Sequence, residues 1–580
     1  MDSFVVAASA SAEAHVPIAS CSRVRYPYLI FLTLIVLVSA ALRAEAWHHW
    51  GTGAIESEGA EYARIAENLR EGRGYVGIST PGTQLVFAPL FPALIATASL
   101  VSHNDYELAG RLISFLLGVL LPLPVFGIAI RLFHWRTAAI AAVLTATFPL
   151  FINLSFAVFS EGPYITVLLT AVYLVLHAFD HPSALNWSIV GGAFGAAYLI
   201  RQEAVAALAF AIVLGLLLRD AALLIKLKRA AAALAVFLIL ASPQVLLLYR
   251  STGKLRLEGK SAINYSWGVR ALAEQAGSRT DQAIRETDYD AANSINERLE
   301  ATGVGMRPNA DIIRETHVHL RDTARFFLEA VRRNTPELFG KLRERWLGAP
   351  FLPALAFLGA LRRPWPRRAA FHHLYFLLIP AAAVLTTFTV VHAIYVRNYF
   401  VLAPFLLIYG ANGLVVVVRW TNKNIAAIFR QRIAWVPGIL VAGLLTLLML
   451  NYALKDTRNL YVFREGSPET LAAKNAGMWI NKQQARRVRV MDVQDTVAFH
   501  ADAEYVHFPA CDPGTALRYM EKEKVDYVVF RRGFDQPKYY QDWLTSGIPD
   551  ARAQMVYATP ENDPSGILIF RWNQSAPHHP

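Results

Sequence analysis

The sequence predicts a polytopic α-helical membrane protein that ends in an extracytoplasmic α/β domain. Three observations predict it. Of the 580 residues, 54% are hydrophobic, and the mean hydropathy is positive. The apolar residues are gathered into runs near the roughly 20 residues of helix that a bilayer requires. The Lys and Arg clusters fall in the short gaps between those runs, where they set orientation, so the formal charge of +12 reads as topology and not as a nucleic-acid footprint.

Taken in order, residues 1–25 form an N-terminal tail with no apolar core ahead of Arg23 and Arg25. No cleavable signal peptide is expected there, and the first span serves as an uncleaved anchor. Runs at 26–46, 108–131, 137–156, 161–179, 185–200, 204–218, 230–249, 348–361, 371–392, 399–418 and 434–453 predict about eleven transmembrane helices. With a cytoplasmic N-terminus, the gaps carrying Arg131 and Arg136, Arg219 to Arg229, Arg362 to Arg368, and Arg419 to Arg432 share the cytoplasmic face. The hydrophilic segments 47–86, 251–346 and 454–580 then share the outer face. Cys21 and Cys511 fall on opposite sides and cannot pair.

In the first outer segment, Tyr62, Ile65, Ala66 and Leu69 recur at helical spacing, predicting an amphipathic helix over Glu58 to Arg70 that lies on the bilayer; a turn-rich stretch through Gly72, Gly74, Gly77 and Gly82 follows. The run Phe87 to Val101, broken by Pro89 and Pro92, is too short to span and is expected to lie in the interface or re-enter. In segment 251–346, helices are expected near Asp281 to Ala301 and Asp311 to Arg333. After the last span, a helix at Pro468 to Gln483 precedes strand-like runs at Arg487 to Val493, Thr496 to His500, Tyr505 to Phe508, Tyr527 to Phe530, Gln554 to Ala558 and Gly566 to Trp572. Over 454–580 these predict a small α/β domain.

No Walker-type glycine loop, HExxH or GxSxG pattern occurs, which removes most support for ATP-driven pumping and protease chemistry. What stands out is acidic: Glu56, Glu58 and Glu61, followed by Tyr62, sit just beyond the first span. A carboxylate at the water-side rim of a bundle can act as a base or bind a cation while still meeting a lipid-borne substrate. Glu161 opens the fourth run; the competing structural reading is a helix N-terminus with Ser160 as cap. Arg201 and Glu203 interrupt an apolar stretch, either as a turn with a local ion pair or as a phosphate site. Arg397 is balanced between that role and snorkelling to headgroups. His372 and His373 lie at the other end of the bundle and receive no role, and Gly191, Gly192 and Gly195 are read as helix-packing positions.

Glu58 to Ala66, with an acid four positions before Tyr62, Ser160 to Tyr164, Gly195 to Glu203, and Arg397-Asn398-Tyr399 to Pro404 together resemble the GT-C superfamily of membrane glycosyltransferases. Within it they are similar to the bacterial protein O-mannosyltransferase and aminoarabinose lipid A transferase branch. The resemblance implies that Glu58 is the catalytic carboxylate. Many relatives carry aspartate there, often with a second acid directly after it; this chain has Gly59, which leaves the base divided between Glu58 and Glu56. The stretch Phe87 to Pro92 lacks the lysine that some relatives carry, so a phosphate contact must come from elsewhere, with Lys260 a candidate. The implied activity is inverting transfer of a sugar, hexosyl or pentosyl, from a polyprenyl-phosphate donor to an extracytoplasmic lipid, glycan or protein. Glu56, Glu61, Tyr62, Glu161, Arg201, Glu203, Lys260 and Arg397 would bind substrate. No cofactor is implied with certainty; a divalent cation, if used, would fall to Glu58 and Glu161. The expected location is a bacterial inner membrane, with membrane lipids as partners and no nucleic acid. The alternatives are a transporter or lipid flippase, in which the same charges line a path, and a non-catalytic envelope assembly subunit.

Overall fold

The computed structural model describes residues 25–50, 53–55, 57–218, 220–260, 262–263, 308–315, 351–361, 367–389, 400–429, 436–457, 467–484, 486–509, 511–533, 538–560 and 566–574, with isolated positions between 328 and 365. The chain is a multi-pass helical membrane protein. The first half runs α1 (Arg25–Trp50), α2 (Ser57–Arg70), α3 (Leu90–Ala98), α4 (Tyr106–Leu120), α5 (Pro122–Leu132), α6 (Trp135–Thr147), α7 (Pro149–Asn153), α8 (Glu161–Asp180), α9 (Ala184–Tyr198), α10 (Ala204–Leu217) and α11 (Leu223–Thr252). Then follow α12 (Asn309–Glu315), α13 (Phe351–Leu361), α14 (Arg367–Thr389), α15 (Ala403–Phe429) and α16 (Val436–Thr457).

Each of the eleven apolar runs is mainly helical over its described residues. Among those residues, six helices are long and apolar enough to cross a membrane: Pro27–His49, Tyr106–Leu132, Glu161–Asp180, Leu223–Thr252, Phe400–Ile425 and Val436–Lys455. The run at 137–156 is divided between α6 and α7 at Phe148, ahead of Pro149, because proline starts a helix but cannot continue one. The stretch after Phe87 holds only the nine-residue α3, too short to span, as its prolines require. One buried cluster runs through the bundle, from Ile35 to Ala453. Gly191 lets α9 touch α11: a Cβ there would lie 2.1 Å from the Ala233 carbonyl oxygen.

The C-terminal domain opens with α17 (Pro468–Gln483), capped by Ser467, whose side chain accepts from the Thr470 amide. It continues β1 (Arg489–Asp492), α18 (Thr496–His500), β2 (Glu504–His507), α19 (Pro513–Lys522), β3 (Tyr527–Arg531), α20 (Lys538–Ser546), β4 (Ala553–Ala558) and β5 (Ile567–Trp572). The strand order is β2-β1-β3-β5-β4, with β1 parallel to β2 and β3, and β5 antiparallel to β3 and β4. Successive residues of a strand face opposite sides, so Val490 and Val529 pack against α17 and α18, while Met491 and Val528 pack with α19 and α20. β3 is buried throughout, as a central strand covered on both faces should be.

Two expectations are corrected. Thr496 to His500 is a short helix, not a strand; its Thr496, Val497 and Ala498 are buried on one turn, which places Val497 and Ala498 on the sheet. α2 does not lie on a bilayer: most of it, including Glu61 and Arg64, is buried by protein. The cause is chiefly α3 and α4, which pack along it, and the C-terminal domain adds a contact at Arg64, from which Asp502 accepts at 2.8 Å and whose guanidinium lies 5.7 Å from the Phe499 ring.

Candidate active site

Four segments far apart in sequence meet at one cavity. The first turn of α2 supplies Glu58, and Tyr62 follows one turn later. The residue preceding α8 supplies Ser160, the link between α9 and α10 supplies Arg201, Gln202 and Glu203, and the stretch after α11 supplies Lys260. With Val86, Phe87, Ala88 and Ile200 these side chains line one small, partly open space.

Tyr62 is locked edge-on between Phe87 and Phe91, with ring centroids 4.9 and 5.0 Å away, and its hydroxyl donates to Glu58 Oε1 at 3.4 Å. Burial, and then Glu58 and Glu161, push its phenol well above the ordinary range, so it stays a proton donor. Gly59 accounts for the missing second acid. A Cβ there would stand 2.6 Å from an Ile55 side-chain carbon and 3.0 Å from the Val158 carbonyl oxygen, so α2 and the segment before α8 approach too closely for any side chain.

Arg201 is the electrostatic centre. Its Nη1 donates to Glu161 Oε1 at 2.7 Å and its Nη2 to Glu203 Oε1 at 3.1 Å, while the guanidinium lies 5.8 Å from the Tyr164 ring. Burial opposes its charge, but Glu203, Glu161, Tyr62 and Glu58 outweigh burial and hold its pKa well above the usual value. Burial likewise works to raise the Glu203 carboxyl, but Arg201 and then Lys260 hold it down at about 2. Glu161 is buried; one oxygen is taken by Arg201, and Oε2 has no hydrogen-bond partner among the described residues. Ser160 stands before α8 with helical backbone angles and no side-chain cap; its hydroxyl is instead 3.4 Å from Arg201 Nη1.

The structure thus brings Glu58, Tyr62, Arg201, Glu203 and Lys260 to one cavity, with Glu161 directly behind Arg201. Glu61 is not among them. Its carboxylate turns into the following loop and accepts from the amides of Ile78 and Ser79 at 2.8 and 2.9 Å, from Ser79 Oγ at 3.0 Å and from Gln84 Nε2 at 2.5 Å. That fully bonded carboxylate shapes the loop, and its expected contact with substrate is withdrawn. Glu56 and Arg397 lie outside the described residues.

The donor set was tested for a divalent ion. Among the described residues no three His, Cys, Asp or Glu side chains are arranged to hold one, and the inner oxygen of Glu161 is already bound by a guanidinium. Sequence reasoning missed Arg43, buried inside the first span, where it donates to Ser155 Oγ at 2.9 Å, Ser39 Oγ at 2.7 Å and the Ala146 carbonyl at 3.1 Å. A charge within an apolar run was the available signal.

Residues 87–247, which include Glu161, Arg201 and Glu203, match the family described as dolichyl-phosphate-mannose-protein mannosyltransferase. A search of the curated proteins gives no match. Among solved structures, the oligosaccharyltransferase AglB of Archaeoglobus fulgidus, in complex with an inhibitory peptide and a dolichol-phosphate, is similar with a TM-score of 0.56 at 14% identity, over 96% of this chain and 75% of that one. ArnT of Cupriavidus metallidurans, bound to undecaprenyl phosphate, is similar with a TM-score of 0.51 at 12% identity, over 94% of this chain and 98% of that one. The chain therefore shares its fold, over most of its length, with these two proteins.

Proposed function

We propose that the chain is an inverting glycosyltransferase of a bacterial inner membrane, taking a sugar from a polyprenyl-phosphate donor and passing it to an extracytoplasmic lipid, glycan or protein. The observation that carries this reading is the convergence of a carboxylate, Glu58, with two cations, Arg201 and Lys260, on one small cavity. The two structural neighbours are bound to a dolichol-phosphate and to undecaprenyl phosphate, which supports the donor class.

In the proposed reaction Glu58 accepts the proton of the acceptor group as its oxygen or nitrogen bonds to the anomeric carbon. The bond from that carbon to the donor phosphate oxygen breaks, and its electron pair leaves on the polyprenyl phosphate. Arg201 and Lys260 stabilise the charge that grows on that phosphate. A guanidinium has five N–H donors, so Arg201 can hold its two carboxylates and still meet a phosphate oxygen. Tyr62 orients the Glu58 carboxylate, and Glu161, behind Arg201, holds the guanidinium in place.

Incubating the purified protein with a radiolabelled polyprenyl-phosphate sugar and extracted envelope acceptors tests the reading. Label appearing in acceptor supports it; lipid movement without transfer would point to a flippase, and neither to an assembly subunit. The orientation is tested separately. A C-terminal alkaline phosphatase fusion should be active, and a fluorescent protein that matures only in cytoplasm should stay dark. The reverse pattern would mean a miscounted span.

A further inference from the structure

Two loops deliver the acidic residues of the site, and one buried side chain holds both. Arg111, on α4, is 3% exposed. Its Nη2 donates to the Gly53 carbonyl at 3.1 Å and its Nη1 to the Phe156 carbonyl at 3.3 Å. Gly53 precedes α2 and Glu58; Phe156 precedes α8 and Glu161. The same Nη2 pairs with Glu107 Oε1 at 2.9 Å, one helical turn earlier on α4. The other Glu107 oxygen, Oε2, accepts from Lys474 Nζ of α17 in the C-terminal domain at 3.0 Å.

We propose that Arg111 is a positioning residue that sets the Glu58-bearing and Glu161-bearing segments in register, and that the C-terminal domain controls it through Lys474 and Glu107. The inference rests on the reading of Glu58 and Glu161 as site residues. A carbonyl can be held by any donor, but a single guanidinium bonded to both loops fixes the distance between them, which separate donors would not. The segments also touch directly, since the Val158 carbonyl lies against Gly59 of α2 and the Val158 side chain against Gly110 of α4. A shift of the C-terminal domain therefore moves Glu107, then Arg111, then both loops together. Catalytic geometry is sensitive to such displacements because misplacing a reacting group by about 1 Å can cost on the order of 10²-fold in rate.

The test uses the full chain and Lys474→Met, which removes the ammonium from a partly exposed site and leaves Arg111 in place. Hydrogen exchange is followed at residues 53–58 and 156–161, together with transfer kinetics and the thermal midpoint. The expected result is faster exchange in both segments at once, a loss in kcat of about 3- to 30-fold with the donor KM unchanged, and a midpoint within about 2 °C of wild type. Lys474→Arg should restore exchange and kcat together. Unchanged exchange, exchange altered in one segment only, or a kcat loss that merely follows a lowered midpoint would overturn the relay. A wild-type chain inert toward every donor would count against the transfer reading, while the exchange measurement would still decide the relay.

Discussion

Two buried arginine–carboxylate pairs in this molecule share a chemistry and differ in what surrounds them. In the C-terminal domain, Arg531 meets Asp492 through Nε and Nη2 at 3.0 and 2.5 Å, and its remaining donors reach Gln494 Oε1 at 2.9 Å and Thr496 Oγ1 at 2.8 Å. Asp492 Oδ1 also accepts from the Val493 amide at 2.7 Å. At the cavity, Arg201 is shared between two carboxylates, Glu203 is partly exposed, and Glu161 keeps a buried oxygen with no partner among the described residues. A pair whose every bond is closed is structural cement, because no group remains to meet a substrate. At the cavity the guanidinium itself lines the space, and its five N–H donors leave it able to meet a substrate anion while it holds both carboxylates.

The comparison is broken most directly by Glu58→Gln. The amide keeps the shape but cannot take a proton, so transfer should fall by about 10²- to 10⁴-fold while donor binding and the thermal midpoint hold. If turnover stays near normal and Glu56→Gln is the dead variant, the base lies two residues earlier. The opposite signature is expected at the cement pair. Asp492→Asn leaves Arg531 buried without its counter-charge and should cost about 3–5 kcal/mol, read by chemical denaturation of the C-terminal domain's fluorescence. A loss below about 1 kcal/mol would show that the saturated pair was not structurally important. Arg201→Lys sharpens the contrast further: a point charge replaces a fork, so kcat/KM for the donor should fall about tenfold, and Arg201→Ala should fall further. Unchanged donor dependence with lower thermal stability would place Arg201 among the turn-holding residues instead.

The smallest effect expected is on pH dependence at the joint between the two regions. Asp495 is buried beside Ser57, the residue before Glu58, and burial pushes its carboxyl up to about 7 from an ordinary 3.8. Between those values the folded chain holds a proton that the unfolded chain has released, so this group's stabilisation is complete below about pH 4 and is lost as pH rises through 7. His500 works in the other direction. Burial, and then Lys474, hold it down at about 3, so its folded form stays neutral, and stability is lost as pH falls below the ordinary 6.5. The two slopes oppose each other between about pH 4 and 6.5. Asp495→Asn removes the first, so between about pH 4 and 6.5, where the two slopes oppose each other in the parent, the variant's stability should rise with pH, and the change in slope is bounded by about 1.4 kcal/mol per pH unit. A thermal midpoint measured against pH in both proteins decides it, and identical slopes would show that Asp495 does not carry the proton.

Much of this was legible in the chain because its signals are local. Apolar runs register as helices whatever their neighbours, since a bilayer asks only for length and hydropathy. Five of the six strand-like runs became strands for a similar reason, their apolar residues covering both faces of one sheet. Thr496 to His500 failed the same rule because a short run of buried residues looks alike in a strand and in one turn of helix. Glu161 and Arg201 were visible as charges at the ends of apolar runs, Glu58 as part of an acidic cluster beyond the first run, and Lys260 only through the family resemblance.

Which of those charges meet was not visible. Glu58 and Glu61 lie on one helix, three residues apart, yet one lines the cavity and the other is consumed by four bonds to its own loop. Arg111 looked like one more residue of a span, and Lys474 like one more exposed lysine. Composition and spacing by themselves determined that this chain is a membrane bundle with an α/β appendage and acids at its rim, because insertion energy is a property of each segment alone. Only the tertiary structure decided that α2 is buried by protein, that Arg201 reaches Glu161, and that Arg111 ties two loops together, because those depend on groups tens to hundreds of residues apart.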